Sequence, residues 1–339
     1  MKKRLLTTLA ILLCAVGLVL AVAYKPDMSA AEIEALYTDA DSRFMEIDGA
    51  RVHYRDHHPK QDFVRAPTLL LLHGTASSLH TWDGWVQELG SRYRIVRCDL
   101  PGFGLTGGDP SADYSVDRQV ATLAALLDGL GIDRVAVAGN SLGGLIAWRF
   151  ALAYPDRASH LILVNAAGVT DGNTASDSHS SFRAIDMARW PGAAFWLTRL
   201  TPRFLVRSSM EQVYGDPSEV EETLVERYHH LLLREGNRQA LIDLMTARRA
   251  PTGPRDPADL RLPTLILWGE TDSWIPLRHG RRFQELIPGS KLIVYPDIGH
   301  VPMEEIPRET ARDTDLFLTE TIAMPSELDP APTPTSPES

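Results

Sequence analysis

Ser141 stands in Gly139-Asn140-Ser141-Leu142-Gly143, directly after the run Arg134-Val135-Ala136-Val137-Ala138 and directly before the helix-like Leu145-Ile146-Ala147-Trp148-Arg149-Phe150. A G-x-S-x-G between a strand and a helix is a nucleophile elbow. The turn is so sharp that the serine takes a strained backbone conformation, and residues two before and two after it must be very small. The strain lifts the hydroxyl above the sheet and leaves the Leu142 N–H facing a site where an oxyanion can form.

An elbow serine needs a base, a carboxylate to orient the base, and a second N–H for the oxyanion. Strand-like Thr264-Leu265-Ile266-Leu267-Trp268 runs into Gly269-Glu270-Thr271-Asp272, placing Asp272 in a loop at a strand end. Strand-like Lys291-Leu292-Ile293-Val294-Tyr295 runs into Pro296-Asp297-Ile298-Gly299-His300 and places His300 likewise. Upstream, Thr68-Leu69-Leu70-Leu71-Leu72 ends in His73-Gly74-Thr75-Ala76, where Thr75 can present the second N–H. The chain order Ser, Asp, His is the one elbow enzymes require.

With Asp99-Leu100-Pro101-Gly102-Phe103-Gly104 after the next strand, and Pro302 and Glu304 after Gly299-His300, these motifs resemble the α/β-hydrolases of Ser-His-Asp type from about Phe44 to about Ala323. The elbow Gly-Asn-Ser-Leu-Gly-Gly is also similar to that of the meta-cleavage-product hydrolases, which cut carbon–carbon bonds. That family usually carries Met after the serine and Trp after the histidine, where this chain has Leu142 and Val301. Branches of the superfamily that use Asp as nucleophile are disfavoured by Ser141.

The elements that must position these groups follow from the apolar pattern. Strands are expected at 67–73, 94–100, 134–140, 159–166, from 263 and at 291–295, with helices at about 116–130, 142–154, 278–287 and 304–323. Such alternation implies a mostly parallel sheet covered by helices on both faces, the α/β-hydrolase fold. Phe44 to Arg55 reads as a hairpin with a two-residue turn at Asp48-Gly49. Ser29 and Glu32 form a capping box for a short helix. The expected organisation is a membrane anchor or signal sequence at 1–24, a linker helix at 25–43, a hydrolase core at 44–168 and 263–324, a helical cap at 169–262 and a disordered tail at 325–339. The cap carries Trp190, Phe195, Trp196, Phe204 and Tyr214, read first as core between cap and sheet and only in part as pocket wall. Its roughly ninety residues are too many for a structureless connection.

The chain has 339 residues, 44% of them hydrophobic, and a formal charge of -10. That length carries one large core plus an accessory unit. The negative charge argues against nucleic acid or an anionic membrane surface as partner. Cys14 and Cys98 do not suit a disulfide framework or a metal cluster. Lys2, Lys3 and Arg4 precede an apolar run from Leu5 to Ala23, which at about 1.5 Å per residue just spans a bilayer core. The basic flank should remain cytoplasmic, anchoring the protein with its catalytic domain on the non-cytoplasmic side. Ala21-Val22-Ala23 also reads as a signal-peptidase site, whose use gives a secreted or periplasmic form. The run exceeds the roughly 7–15 residues of a signal core, which favours an uncleaved anchor.

Other groups have plainer readings. Asp171, in the loop after strand 159–166, is the alternative acid. Glu270 and Asp297 read as turn or surface carboxylates, His73 as a loop organiser, and Asn140 as either a turn residue or a substrate contact. Adjacent positions on a helix do not face one point, so His229-His230 reads as a solvated pair and not a metal site. Gly102-Phe103-Gly104-Leu105-Thr106-Gly107 matches a dinucleotide fingerprint, but Gly108-Asp109-Pro110 prolongs the loop where a fingerprint opens a helix. No cofactor or metal is expected.

The expected chemistry is serine hydrolysis through an acyl-enzyme. Ser141 is the nucleophile, His300 the base and Asp272 its orienter, with Thr75 and Leu142 N–H groups holding the oxyanion. The substrate expected first is a small-to-medium apolar carboxylic ester. The alternatives are carbon–carbon bond hydrolysis, with Asn140 and a cap arginine such as Arg183 or Arg207 taking a substrate carboxylate, and a non-catalytic ligand-binding protein on the same fold.

Overall fold

The computed structural model describes residues 23–59, 67–169, 195, 198–246 and 256–323, with scattered residues before 23. Residues alternate between two cores in each central strand, as a sheet buried on both faces demands. In β3 (Thr68–Leu72), Leu70 and Leu72 face one core and Leu69 and Leu71 the other. In β5 (Val135–Asn140), Val135 and Val137 enter the first core and Ala136 and Ala138 the second.

The sheet has eight strands in the order β1-β2-β4-β3-β5-β6-β7-β8. β1 (Ser42–Ile47) and β2 (Ala50–His57) form an antiparallel hairpin, and β2 pairs antiparallel with β4 (Ile95–Cys98). From β4 through β3, β5, β6 (Ala158–Val164) and β7 (Thr264–Gly269) to β8 (Lys291–Tyr295), every pairing is parallel. The hairpin turn holds Asp48 at φ 47° and Gly49 at φ 84°, both positive as the tightest hairpin turns require.

Helices cover both faces. Preceding the sheet is α1 (Ala30–Tyr37), and α2 (Asp83–Leu89) follows β3. The first face carries α3 (Val116–Gly129), α4 (Leu142–Ala153) and, later in the chain, α8 (Leu277–Leu286), which contribute Leu123, Leu127, Ile146, Phe150 and Phe283. Between β6 and β7 come α5 (Arg203–Val213), α6 (Glu222–Leu233) and α7 (Asn237–Thr246). Val206, Met210 and Val225 from this insertion join the second core with Trp85 and Leu89 of α2. The closing helix expected at 304–323 is broken in two, α9 (Pro302–Glu305) and α10 (Pro307–Ala323). Pro307 cannot donate a backbone hydrogen bond, so it starts a new helix.

The capping box forms at Ser29 and Glu32. α1 lies against the insertion: Ile33 is fully buried with Leu105 and Leu231. Beside it Arg238 binds Asp27 at 2.6 Å and the Lys25 carbonyl at 2.9 Å.

The expected membrane anchor, and with it the membrane partner and the non-cytoplasmic placement of the catalytic domain, does not stand. Among the described residues no helix is long and apolar enough to cross a membrane. The few residues described before 23 make no such span, and the rest of that run, like the tail 325–339, lies outside the described residues.

Asp99 holds together the loops that border the sheet's C-terminal edge. It is wholly buried. One carboxylate oxygen accepts the Leu79 N–H at 2.7 Å, and the other accepts from Leu105 N–H and His53 Nδ1, each at 2.8 Å. Burial alone would raise its pKa. The hydrogen bond from His53 outweighs that and holds the carboxyl well below the usual range. Asp99→Ala leaves two N–H groups and an imidazole without their acceptor. It should lower unfolding free energy by about 3–5 kcal/mol, read from urea titrations; a loss below about 1 kcal/mol would contradict this role.

Candidate active site

Strand β5 ends at Asn140 and helix α4 begins at Leu142, so Ser141 alone makes the reversal. It does so at φ 54° and ψ -117°, a conformation that costs on the order of 1–3 kcal/mol for a residue with a side chain. Its N–H donates to Val164 O at 3.2 Å, and its carbonyl accepts from Leu145 and Ala167 N–H at 3.1 and 3.0 Å. A Cβ on Gly139 would meet the Gly143 carbonyl oxygen at 2.2 Å, and one on Gly143 would meet the Leu72 oxygen at 2.3 Å. The two glycines of the motif are therefore required by close backbone approach. As the first residue of α4, Leu142 has an N–H with no intrahelical partner.

The Gly74 backbone lies against this turn: a Cβ there would be 3.1 Å from the Ser141 Cβ. Thr75 is the next residue in the chain. His73 is fully buried; its Nε2 accepts the Leu100 N–H at 2.9 Å, so Nδ1 carries the proton and donates to Gly74 O at 2.7 Å. Burial pushes its pKa down, and this neutral imidazole is a loop organiser.

In the loops after β7 and β8, His300 Nδ1 is 2.7 Å from Asp272 Oδ2. Both are buried. The same oxygen accepts Asn165 Nδ2–H at 2.6 Å, while Oδ1 accepts the Trp274 and Ile275 N–H groups at 2.8 and 2.9 Å. Burial would raise the Asp272 pKa, but His300 and these donors outweigh it and hold the carboxyl below its ordinary value. An ionised Asp272 fixes the His300 proton on Nδ1 and leaves Nε2 as the basic nitrogen. The elbow and the histidine loop are tied directly, since Asn140 Nδ2 donates to His300 O at 2.9 Å and to Val164 O at 3.1 Å. With both donors used, Asn140 is a turn tie here. Asp171 and Arg183 lie outside the described residues. Glu270 and Asp297 are exposed, the latter at φ 61° in a turn.

Four groups were not singled out from the sequence. Asn165, at φ 43° just past β6, bridges Asp272 and the Gly269 N–H. Its place after the strand that follows the elbow helix was the available signal, because that is where a second acid was sought. The Trp274 ring stacks on His300, centroids 5.9 Å apart, and is 44% exposed. The Val213 carbonyl at the end of α5 accepts the His300 N–H at 2.6 Å, and Glu305 accepts the Gly215 and Gly299 N–H groups. The insertion therefore contacts the histidine loop through backbone.

Other expectations are corrected. His229 is buried and bonds Thr201 O at 2.8 Å, while His230 Nδ1 meets Tyr37 Oη at 2.9 Å; packing of α6 under α1 turns the expected solvated pair inward. Phe195 and Phe204 are exposed, not core, and Tyr214 is buried through a hydroxyl bond to Glu304. Trp190 and Trp196 lie outside the described residues. Arg207 is engaged by Glu222. Gly102 N–H closes onto Gly107 O at 2.7 Å, and the next helix opens only at Val116, so the glycine run is a closed loop. Among the described residues no group of three or more His, Cys, Asp or Glu is placed to hold a metal.

Residues 67–307 match the family described as alpha/beta hydrolase fold. The chain belongs to that family and is a hydrolase. It is 32% identical over 241 residues to a 2-hydroxy-6-oxo-2,4-heptadienoate hydrolase of Pseudomonas putida, covering 68% of this chain and 82% of that one. It is 26% identical over 261 residues to a 2-hydroxy-6-oxononadienedioate/2-hydroxy-6-oxononatrienedioate hydrolase of Paraburkholderia phymatum, covering 74% and 84%. Among solved structures, a bacterial membrane phospholipase A described as a virulence factor matches with a TM-score of 0.69 and 25% identity, over 95% of this chain and 99% of that one.

The depressed Asp272 carboxyl has a consequence for stability. Its contribution is fully present above the unfolded carboxylate pKa of about 4 and is lost as pH falls through the lower folded value. Asp272→Asn should therefore lose less unfolding free energy than the unsubstituted protein between pH 7 and pH 3, measured by urea titration. It should also lower kcat by on the order of 10⁴, because it favours the wrong imidazole tautomer. An unchanged acid dependence together with full activity would place the acid elsewhere.

Proposed function

We propose that this α/β-hydrolase is a serine-dependent carbon–carbon bond hydrolase acting on 2-hydroxy-6-oxo-dienoates. The observation that carries the reading is the 32% identity to the heptadienoate hydrolase across 241 residues, 68% of this chain and 82% of that one. The residue roles are those of the triad. His300 Nε2 takes the proton of Ser141, whose oxygen attacks the 6-oxo carbon. The oxyanion forms against the Thr75 and Leu142 N–H groups, each such donor typically contributing about 3–4 kcal/mol to lowering the barrier. Collapse breaks the bond to the neighbouring carbon. That carbon can depart because the dienoate, shifted to its 2-oxo tautomer, delocalises the electron pair, and it takes the proton from His300. Water, deprotonated by His300, then releases the acyl group from Ser141. Residues 169–262 are read as a cap over this site, with α5 to α7 as its described helices.

A second reading is supported by a specific observation. Asn140 has both donors committed to backbone carbonyls and Arg207 is held by Glu222, so neither is presented to a substrate carboxylate. Arg183 is left as the anchor of those considered. The likeness to a phospholipase A over 95% of the chain points the same way. On this reading the same triad cleaves a carboxylic ester with an apolar acyl part.

Purified protein should be assayed against 2-hydroxy-6-oxo-dienoates, followed by loss of their conjugated absorbance, and against p-nitrophenyl esters of increasing chain length. Steady dienoate turnover at a kcat/KM at least about tenfold above any ester, abolished by Ser141→Ala, is the expected result. Ester turnover without dienoate turnover selects the second reading; activity surviving Ser141→Ala contradicts both.

A further inference from the structure

Glu304, four residues after His300, gathers hydroxyl groups from three separate parts of the chain. Its Oε1 accepts from Tyr228 Oη of α6 at 2.7 Å and from the Thr81 hydroxyl, and its Oε2 accepts from Tyr214 Oη at 2.6 Å. Tyr228 Oη is also 3.1 Å from Ser77 Oγ. A phenol has one proton and a carboxylate only accepts. The Tyr228 proton is therefore spent on Glu304, and the Ser77 hydroxyl must donate to Tyr228. Ser77 in turn closes the loop turn, its N–H donating to Gly74 O at 3.3 Å. Within that turn lies Thr75, and Gly74 is packed against Ser141.

We propose that Glu304 is a positioning residue: through Tyr228 and Ser77 it holds the Gly74–Ser77 turn so that the Thr75 N–H stays aimed at the oxyanion above Ser141. The inference rests on the reading of Ser141 as nucleophile and Thr75 as oxyanion donor, and not on which bond is cut. Burial and the adjacent Glu304 push the hydroxyls of Tyr214 and Tyr228 far above the ordinary phenol range, so both remain donors at working pH. The two tyrosines differ in one respect. Both pin the insertion to the α9 carboxylate, but only Tyr228 reaches the turn. A cleft of about 870 Å³ borders Glu304, Thr81 and Tyr214, so the carboxylate stands at an open boundary between insertion and core.

That difference gives the test. Tyr228→Phe and Tyr214→Phe each keep the ring and remove one bond to Glu304. Each should be compared with the unsubstituted protein by thermal unfolding, by kcat and KM for p-nitrophenyl butyrate, and by the rate of fluorophosphonate labelling of Ser141. Tyr228→Phe should lower kcat and the labelling rate together by about tenfold, a fraction of the 10²–10³ lost when an oxyanion donor is removed outright, with KM within about twofold. Tyr214→Phe should lower Tm comparably but label within about twofold of the unsubstituted rate. Glu304→Gln, which keeps an acceptor oxygen, should recover most of what Glu304→Ala loses. A native labelling rate in folded Tyr228→Phe, or equal losses in both tyrosine variants that track Tm, would overturn the proposal. No labelling of the unsubstituted protein would remove the nucleophile assignment beneath it, a failure distinct from either.

Discussion

Holding Ser141 at φ 54° and ψ -117° is the constraint around which the fold is arranged. A lone chain would relax such a turn, since the strained conformation is worth on the order of 1–3 kcal/mol. Here relaxation would break more than it gained. β5 is clasped between β3 and β6 in the middle of the sheet, and the serine's own N–H and carbonyl are tied to β6 and the residues after it. Gly139 and Gly143 let α4 approach so closely that any side chain would strike backbone. The serine is consequently over-determined from both sides, and its hydroxyl and the Leu142 N–H are displayed as a unit.

Two buried carboxylates, Asp99 and Asp272, and the half-buried Glu305 extend this order to the loops. Asp99 takes the N–H groups of two loops, Asp272 takes two N–H groups, Asn165 and His300, and Glu305 joins Gly215 to Gly299. Each is satisfied by several donors, and for Asp99 and Asp272 that is the condition under which a buried charge is tolerated. These oxygens tie the connections at the strand ends where the candidate site lies. The insertion shares in this, because the last carbonyl of α5 receives the His300 N–H.

Much of this was legible in the sequence because the signals were local. The alternation of Leu69 to Leu72 and of Val135 to Ala138 marks strands buried on both faces, and the glycine-spaced serine between strand and helix names its own geometry. Asp48-Gly49, Ser29 and Glu32 similarly carry their turn and cap within a few residues. What was not legible depends on partners far apart in the chain. Asn165 meets Asp272 across 107 residues and Tyr228 meets Glu304 across 76, and no spacing rule foretells either. α2 was missed because its seven residues are too few for a periodic pattern to stand out. The N-terminal apolar run read as a membrane span on composition, yet no described helix has that length and character. The aromatic content of the insertion said nothing of direction, and Phe195 and Phe204 point outward.

The central claim is that Ser141, with His300 and Asp272 behind it, forms a covalent acyl intermediate. Rapid quenching of a turning-over sample, followed by intact-protein and peptide mass spectrometry, measures it directly. One acyl group per chain, located on the peptide containing Ser141 and absent from Ser141→Ala, is the result this account predicts. Turnover with no adduct on the chain, or an adduct carried by a residue other than Ser141, would contradict it.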